Sequence, residues 1–247
     1  MTVQDVYCLL DQKAPFSSAE EWDNSGLLIG DPTAPVNGVV VALDVTDDVR
    51  EYAVKKKASL IVSHHPIIFD PLTSVKVDSA VYRAIQAGMS VISAHTNADK
   101  AADGVNDALC AVLGLSDTVV TEDGFCRIGT LPANMSAAVF ADYVAHCLET
   151  AVRIKAGTDE IRTVAVCGGS GADLVIPLLE KADAAVTGEV KHHEWLSVPG
   201  AKTLVDGGHY TTEIHVVNRI ANWIQAADPS LTVWPYVGTA PYQTVKE

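Results

Sequence analysis

The 247 residues carry 31 acidic against 17 basic side chains, a formal net charge of −14, with 48% hydrophobic and 19% charged residues. This is a globular balance, long enough for one large α/β domain or two small ones with a real core, and not a disordered one. It argues against a surface built to grip phosphate backbones or anionic membranes, although bound cations could still reverse the field locally for a small anion.

Residues 3–10 space Val3, Val6, Tyr7 and Leu10 at helical intervals behind a capping Thr2. Asp5 comes early and no basic region leads an apolar core, so this start does not read as a secretory signal. No apolar run approaches the roughly 20 residues of a bilayer-spanning helix. The cysteines, Cys8, Cys110, Cys126, Cys147 and Cys167, are scattered and never form C-x-x-C. That is neither a disulfide framework nor a thiolate zinc site, and it points to a reducing, cytoplasmic compartment.

Residues 20–32, EEWDNSGLLIGDP, set Trp22 beside the turn-forming Asp23, Asn24 and Gly26, then a short strand over 27–29. A buried strand over 39–43 leads through Asp44, Thr46 and Asp47 into a helix ending at the basic run 55–57. Leu60, Ile61 and Val62 form a strand that ends in His64 and His65 and is stopped by Pro66. A helix through Val81, Ala84 and Ile85 ends at Gly88, and a strand over 90–94 runs into HTNADKAADGVNDAL, whose helix ends at Gly114. This strand–helix alternation predicts a mostly parallel sheet with covering helices.

A second α/β unit follows. Its strands are expected over 125–131, 152–155, 164–167, 184–187 and 202–205, with helices near 137–148, from GGSG to about 181, and just after Glu189. The segment DGGHYTTE opens a helix to about residue 227, and 233–236 is a last strand. The turn at 122–124 is the expected domain boundary. The first domain is expected over 1–124, completed by about 209–247, and the second over 125–208.

Three histidine sites share one design: a strand ends and His64-His65, His95 or His209 follows at its carboxyl edge. Ligand sites in open α/β sheets lie outside those edges, so these side chains could converge. Adjacent histidines at a strand end can straddle a site, or merely be solvated. Asp99 offers a hard anionic oxygen or a turn carboxylate. His209 and Glu213, four apart, share a helix face and suit a divalent-ion pincer or an exposed helix pair. Imidazole with carboxylate and no thiolate suits zinc, manganese, iron, cobalt or nickel, and five donors fit two ions better than one catalytic zinc. Glu189, with His192 or His193 nearby, could transfer protons. Gly168 to Gly171 lacks a P-loop lysine and reads as a tight turn.

Taken together, EEWDNSGLLIGDP, ALDVT, SHHPIIF, HTNADKAADGVND, TGEVKHH and GGHYTTE resemble the Nif-three-like dinuclear metal-centre family, also labelled GTP cyclohydrolase I type 2 homologues. The motifs occur in family order and cover the chain nearly end to end. The resemblance implies two interlinked α/β domains with mixed or mostly parallel sheets, two divalent metal ions, and a ring-shaped homohexamer. It also implies metal ligands at His64, His65, Asp99, His209 and Glu213, with Glu213 bridging and His95 and Glu189 lining the cleft. The chain lacks the domain inserted in longer members, and Asp103 stands where the family usually has a glycine. The expected function is a metal-dependent hydrolase on a small, nucleotide-like substrate, with His95 or Glu189 moving protons. The alternatives are a small-molecule phosphoesterase and a non-catalytic metal-binding regulatory or scaffold protein.

Overall fold

A computed structural model of the chain describes residues 1–242. The first stretch comprises α1 (Val3–Lys13), β1 (Gly26–Ile29), β2 (Val39–Ala42), α2 (Asp47–Lys56), β3 (Leu60–Ser63), α3 (Ala80–Gln86), β4 (Ser90–Ser93) and α4 (Thr96–Lys100). Next come α5 (Val105–Val112), β5 (Ser116–Val120), β6 (Arg127–Met135), α6 (Ala137–Cys147), β7 (Arg153–Lys155), β8 (Ile161–Val166) and α7 (Ala172–Leu178). The chain continues with β9 (Ala184–Thr187), α8 (His192–Ser197), β10 (Thr203–Asp206), α9 (His209–Glu213), α10 (Val216–Ala227) and β11 (Val233–Pro235). No helix among the described residues is long and apolar enough to cross a membrane.

Local chemistry sets the helix ends. Thr2 and Asp5 form a reciprocal capping box on α1, and Thr46, Ser79 and Ser136 cap α2, α3 and α6. Asp47 and Asp48 begin α2 and Lys55 and Lys56 finish it, matching the helix dipole at both ends.

Two units emerge from the packing: Met1–Gly104 with Val216–Gly238, and Val105–His215 with the described residues from 239. The sheet of the first has the order β1-β4-β3-β2-β11 and is parallel except for β1 against β4. Every residue of β2, β3 and β4 is buried, as expected of parallel strands covered on both faces. Val40, Ala42, Ile61 and Val91 pack against Val49 and Ala53 of α2 and Val81 and Ala84 of α3. Helix α10 covers β2 and packs on α1. The register sets Ala42 level with Ser63 and Ser63 level with Ser93, so the carboxyl ends of the three strands lie along one edge.

In the second unit the sheet order is β5-β6-β8-β9-β10-β7, and only β8, β9 and β10 run parallel. Alternation along the strands splits its core in two. Val164, Val166, Val186 and Val205 face Leu109 and Phe140, while Ala165, Ala185 and Leu204 face Val175 and Leu179.

Three details differ from the sequence reading. The units divide after Gly104, whereas the sequence placed the turn at 122–124 between domains, because α5 packs on β6 and β8, and β5 pairs with β6. Consequently His209 and Glu213 belong to the second unit, and residues 243–247 of the expected C-terminal completion lie outside the described residues. Strand β5 has no counterpart in the sequence reading: all five of its residues are exposed, so no buried face patterns it. The single helix expected after Gly208 is two, broken between Glu213 and Val216, where the chain passes from the second unit to the first.

Asp103 adopts a left-handed φ of 59° just before Gly104, where any side chain would overlap the Ala98 carbonyl. Its carboxylate accepts from Trp223 Nε1 at 3.2 Å and pairs with Arg219 at 2.8 Å, tying the loop to α10. Two contributions therefore oppose at this position: left-handed strain, and hydrogen bonds to an indole and a guanidinium. Replacing Asp103→Ala keeps the strain and loses the bonds, and is expected to cost about 1–2 kcal/mol. Asp103→Gly relieves the strain and should stay within about 1 kcal/mol of the parent. Urea denaturation of both variants checks the pair.

Candidate metal centre

In the first unit the site grows from the carboxyl edge of β3 and β4. The amide of His64 continues the ladder to Ala42, and that of His65 reaches Leu43. The Ser63 hydroxyl then bonds the His65 carbonyl at 2.8 Å. This curls the chain ahead of Pro66 and brings the two rings to 4.9 Å between centroids. His95, just after β4, closes a triangle, 5.2 Å from His64 and 5.6 Å from His65. One nitrogen from each of the three rings lies within 4.8 Å of the others.

All three imidazoles are held in the same way. His64 Nδ1 bonds the Ala94 carbonyl at 2.9 Å, His65 Nδ1 the Asp44 carboxylate at 2.8 Å, and His95 Nδ1 the Asp23 carboxylate at 2.8 Å. A carbonyl oxygen cannot donate, so His64 Nδ1 must carry the proton. In the neutral ring, Nε2 then keeps the lone pair. Anchoring one ring nitrogen on an oxygen acceptor is the usual support of a metal-ligating histidine. His64 Nε2 lies 3.6 Å from Asp99 Oδ1 on α4, with the His64 side chain fully buried and that of Asp99 16% exposed.

Asp23 is the strongest of these anchors. Its buried carboxylate accepts from His95, from the Ser25 hydroxyl at 2.7 Å, and from the Thr96 amide and hydroxyl at 3.0 and 2.6 Å. Burial alone would raise its pKa. Bonds from His95, Thr96 and Ser25 outweigh that and hold the carboxyl well below the usual carboxylate range. The sequence reading took Asp23 as a turn residue and Asp44 as part of the link from a strand into a helix. The missed signal was a carboxylate supply for histidines that need orienting.

In the second unit the parallel strands β8, β9 and β10 end in Gly168-Gly169, Gly188-Glu189 and Gly207-Gly208-His209. His209 Nε2 meets Glu213 Oε2 at 2.9 Å, and its Nδ1 meets Glu189 Oε1 at 3.1 Å. The Glu213 side chain is buried and that of Glu189 is 57% exposed. A side chain on Gly169, whose φ is 62°, would overlap the Glu213 carboxylate, and one on Gly188 would crowd the His209 backbone. The Gly169 amide bonds Thr212 Oγ1 at 3.0 Å, fixing the loop to α9. The GGSG segment is therefore a tight turn, as its sequence suggested, and one that leaves space for a buried carboxylate.

Glu189, expected as a proton carrier, sits on the Nδ1 side of His209 as Asp23 does for His95. His192 and His193 are exposed on α8, and His146 is exposed on α6.

The sequence model of the Duf34/NIF3 family (NGG1p interacting factor 3) matches residues 1–236. The chain belongs to this NIF3 family. A NIF3 relative from Clostridium acetobutylicum, named GTP cyclohydrolase 1 type 2 homolog, is 31% identical over 230 residues, covering 86% of this chain and 85% of that one. A homologue of the same name from Lactococcus lactis is 29% identical over 246 residues and 95% of each chain. Among solved structures, a Staphylococcus aureus hypothetical protein superposes with a TM-score of 0.92 at 29% identity over 99% of both chains. The NIF3 assignment and the two-sheet α/β fold thus agree with the motifs that suggested them.

Gly169→Ala tests the His209–Glu213 pair of the second unit. Overpacking against Glu213 and the left-handed backbone together are expected to cost about 2–3 kcal/mol. A melting temperature unchanged from the parent would show that the loop does not hold Glu213 as described.

Proposed function

We propose that this NIF3 protein is a dinuclear divalent-metal-dependent hydrolase, its ions held by His64, His65, Asp99, His209 and Glu213. The observation that carries the reading is the pairing of His64 Nε2 with Asp99 Oδ1 at 3.6 Å, while His64 Nδ1 is committed to a carbonyl. Two lone-pair donors facing each other repel unless a cation or a proton lies between them. The donors are imidazole and carboxylate without thiolate, which fits zinc, manganese, iron or nickel. Divalent ions would supply Lewis acidity and activation of water at this place.

The chain's own residues do the rest. Asp44 and Asp23 fix the tautomers of His65 and His95, and Glu189 orients His209. His95 takes up and returns a proton through Nε2, the nitrogen left open by its bond to Asp23. The name of the curated homologues supports a nucleotide-like substrate and a GTP cyclohydrolase-like reaction. Five cysteines without a disulfide support a cytoplasmic setting.

Elemental analysis with anomalous scattering on purified crystals should find two ions per chain. His64→Ala and Glu213→Ala should each lose metal and hydrolysis together. Full metal occupancy without turnover of GTP or a panel of phosphoesters would replace the hydrolase with a metal-binding scaffold, and turnover of phosphoesters alone would make it a phosphoesterase.

A homohexamer is proposed with it. Exposed Leu72, Val75, Val77 and Ile85 in the first unit, and Val119 and Val120 on the edge strand of the second, offer apolar surface for association. Light scattering should return six times the chain mass of 26.1 kDa. A monomer mass at micromolar concentration would sink this assignment.

A further inference from the structure

Two large aromatic side chains stand exposed beside His95. Trp22 is 60% exposed and Phe69 48%. Their ring centroids lie 6.0 Å apart, and each lies 6.2 Å from that of His95, with interplanar angles of 77° for Trp22 and 73° for Phe69. Leaving an indole and a phenyl ring in water forgoes the stabilisation of burying them, and neither packs on the core cluster around Val40, Ile61 and Val91.

The backbone that carries them is held firmly. Trp22 precedes Asp23, whose carboxylate takes bonds from His95, Thr96 and Ser25. Phe69 follows Ile68, whose carbonyl accepts from Asn24 Nδ2 at 2.6 Å. The loop of Trp22 and the loop of Phe69 are thus bonded to each other, and the same carboxylate that orients His95 fixes the start of the aromatic pair. Two exposed rings on a braced backbone, next to an imidazole with an open nitrogen, form a preorganised platform.

We infer that Trp22 and Phe69 are specificity-determining residues that stack the planar nitrogen heterocycle of a nucleobase-class substrate at the edge of His95. A separation of 6.0 Å is too small for a third ring between them, since two stacked contacts need about 7 Å. The two rings are tilted 45° to each other, so the ligand ring stacks on the face of one and meets the other at an angle. Exposed Glu21 and Asp70 flank the two aromatics, which disfavours an anionic group here and favours a ring with N–H donors at its edge. Stacking reads any base, so the pair selects a planar heterocycle over an aliphatic one and leaves the choice among bases to other contacts. The catalytic consequence rests on the hydrolase reading above, whereas the binding does not.

Guanosine titrated into the purified protein provides the test, with tryptophan fluorescence and calorimetry as readouts and ribose 5-phosphate as the non-aromatic control. Guanosine should bind and quench, and ribose 5-phosphate should leave the fluorescence unchanged. Trp22→Ala and Phe69→Ala should each weaken guanosine about tenfold or more. Trp22→Tyr should recover most of the affinity, with melting temperature and metal content unchanged throughout. The inference is overturned if guanosine fails to bind the parent, or binds both alanine variants as well as it binds the parent. It is equally overturned if those variants change only the mass measured by light scattering, which would make the pair a contact between copies. Absent turnover with guanosine binding intact would refute the hydrolase and leave the platform standing.

Discussion

Four imidazoles have Nδ1 against an oxygen: in the first unit the Ala94 carbonyl for His64 and the carboxylates of Asp44 and Asp23 for His65 and His95, and in the second the Glu189 carboxylate for His209. The remainder of each unit's donor cluster depends on this constraint. An imidazole free to rotate could offer either nitrogen in either tautomer, and would have to be ordered when a ligand arrived. With Nδ1 held, the ring plane is set and Nε2 is turned to the opposite side, toward Asp99 for His64 and toward Glu213 for His209.

The fold supplies the anchors cheaply because both units place them where parallel strands end. In the first, the level register of β2, β3 and β4 brings Asp44, His65, His64 and Ala94 to one edge without any long side-chain reach. In the second, three strand ends open into glycine-containing turns, and Gly169 leaves the volume that the Glu213 carboxylate fills. A buried carboxylate is costly unless it is paired or ligates a cation. Its contact with His209 and the missing side chain at Gly169 are two parts of one solution.

How much of this was legible in the sequence follows from where the signal lies. Strands β2, β3 and β4 announce themselves as apolar runs, and the helices by their caps and periodicity, because burial imposes both patterns. The histidines stood out because they follow those strands directly. Strand β5 was invisible because an edge strand exposed along its whole length carries no alternation. The unit boundary was misplaced because turn residues cluster near Gly124, whereas the division after Gly104 is made by α5 packing on β6 and β8, a contact between distant residues. Asp23 illustrates the same limit. Its bond to His95 spans 72 positions, and nothing local distinguishes it from an ordinary turn aspartate.

The anchors also differ in a way that separates the histidines by role. His64 is fully buried and leans on a neutral carbonyl, which fixes its tautomer and adds no charge. His65 and His95 lean on carboxylates, which push electron density into the ring and make it a stronger donor. Of those two, His95 alone has an anchor that is completely buried and accepts hydrogen bonds from Ser25 and Thr96 as well, so the anchor's own charge is locked in place. A ring that must exchange a proton and return to the same orientation needs an anchor that does not itself take up the proton. Asp23 meets that requirement through its depressed pKa. In the hydrolase proposed above, His95 rather than Glu189 would transfer the proton, since Glu189 is largely exposed and its carboxylate faces the nitrogen that orients His209.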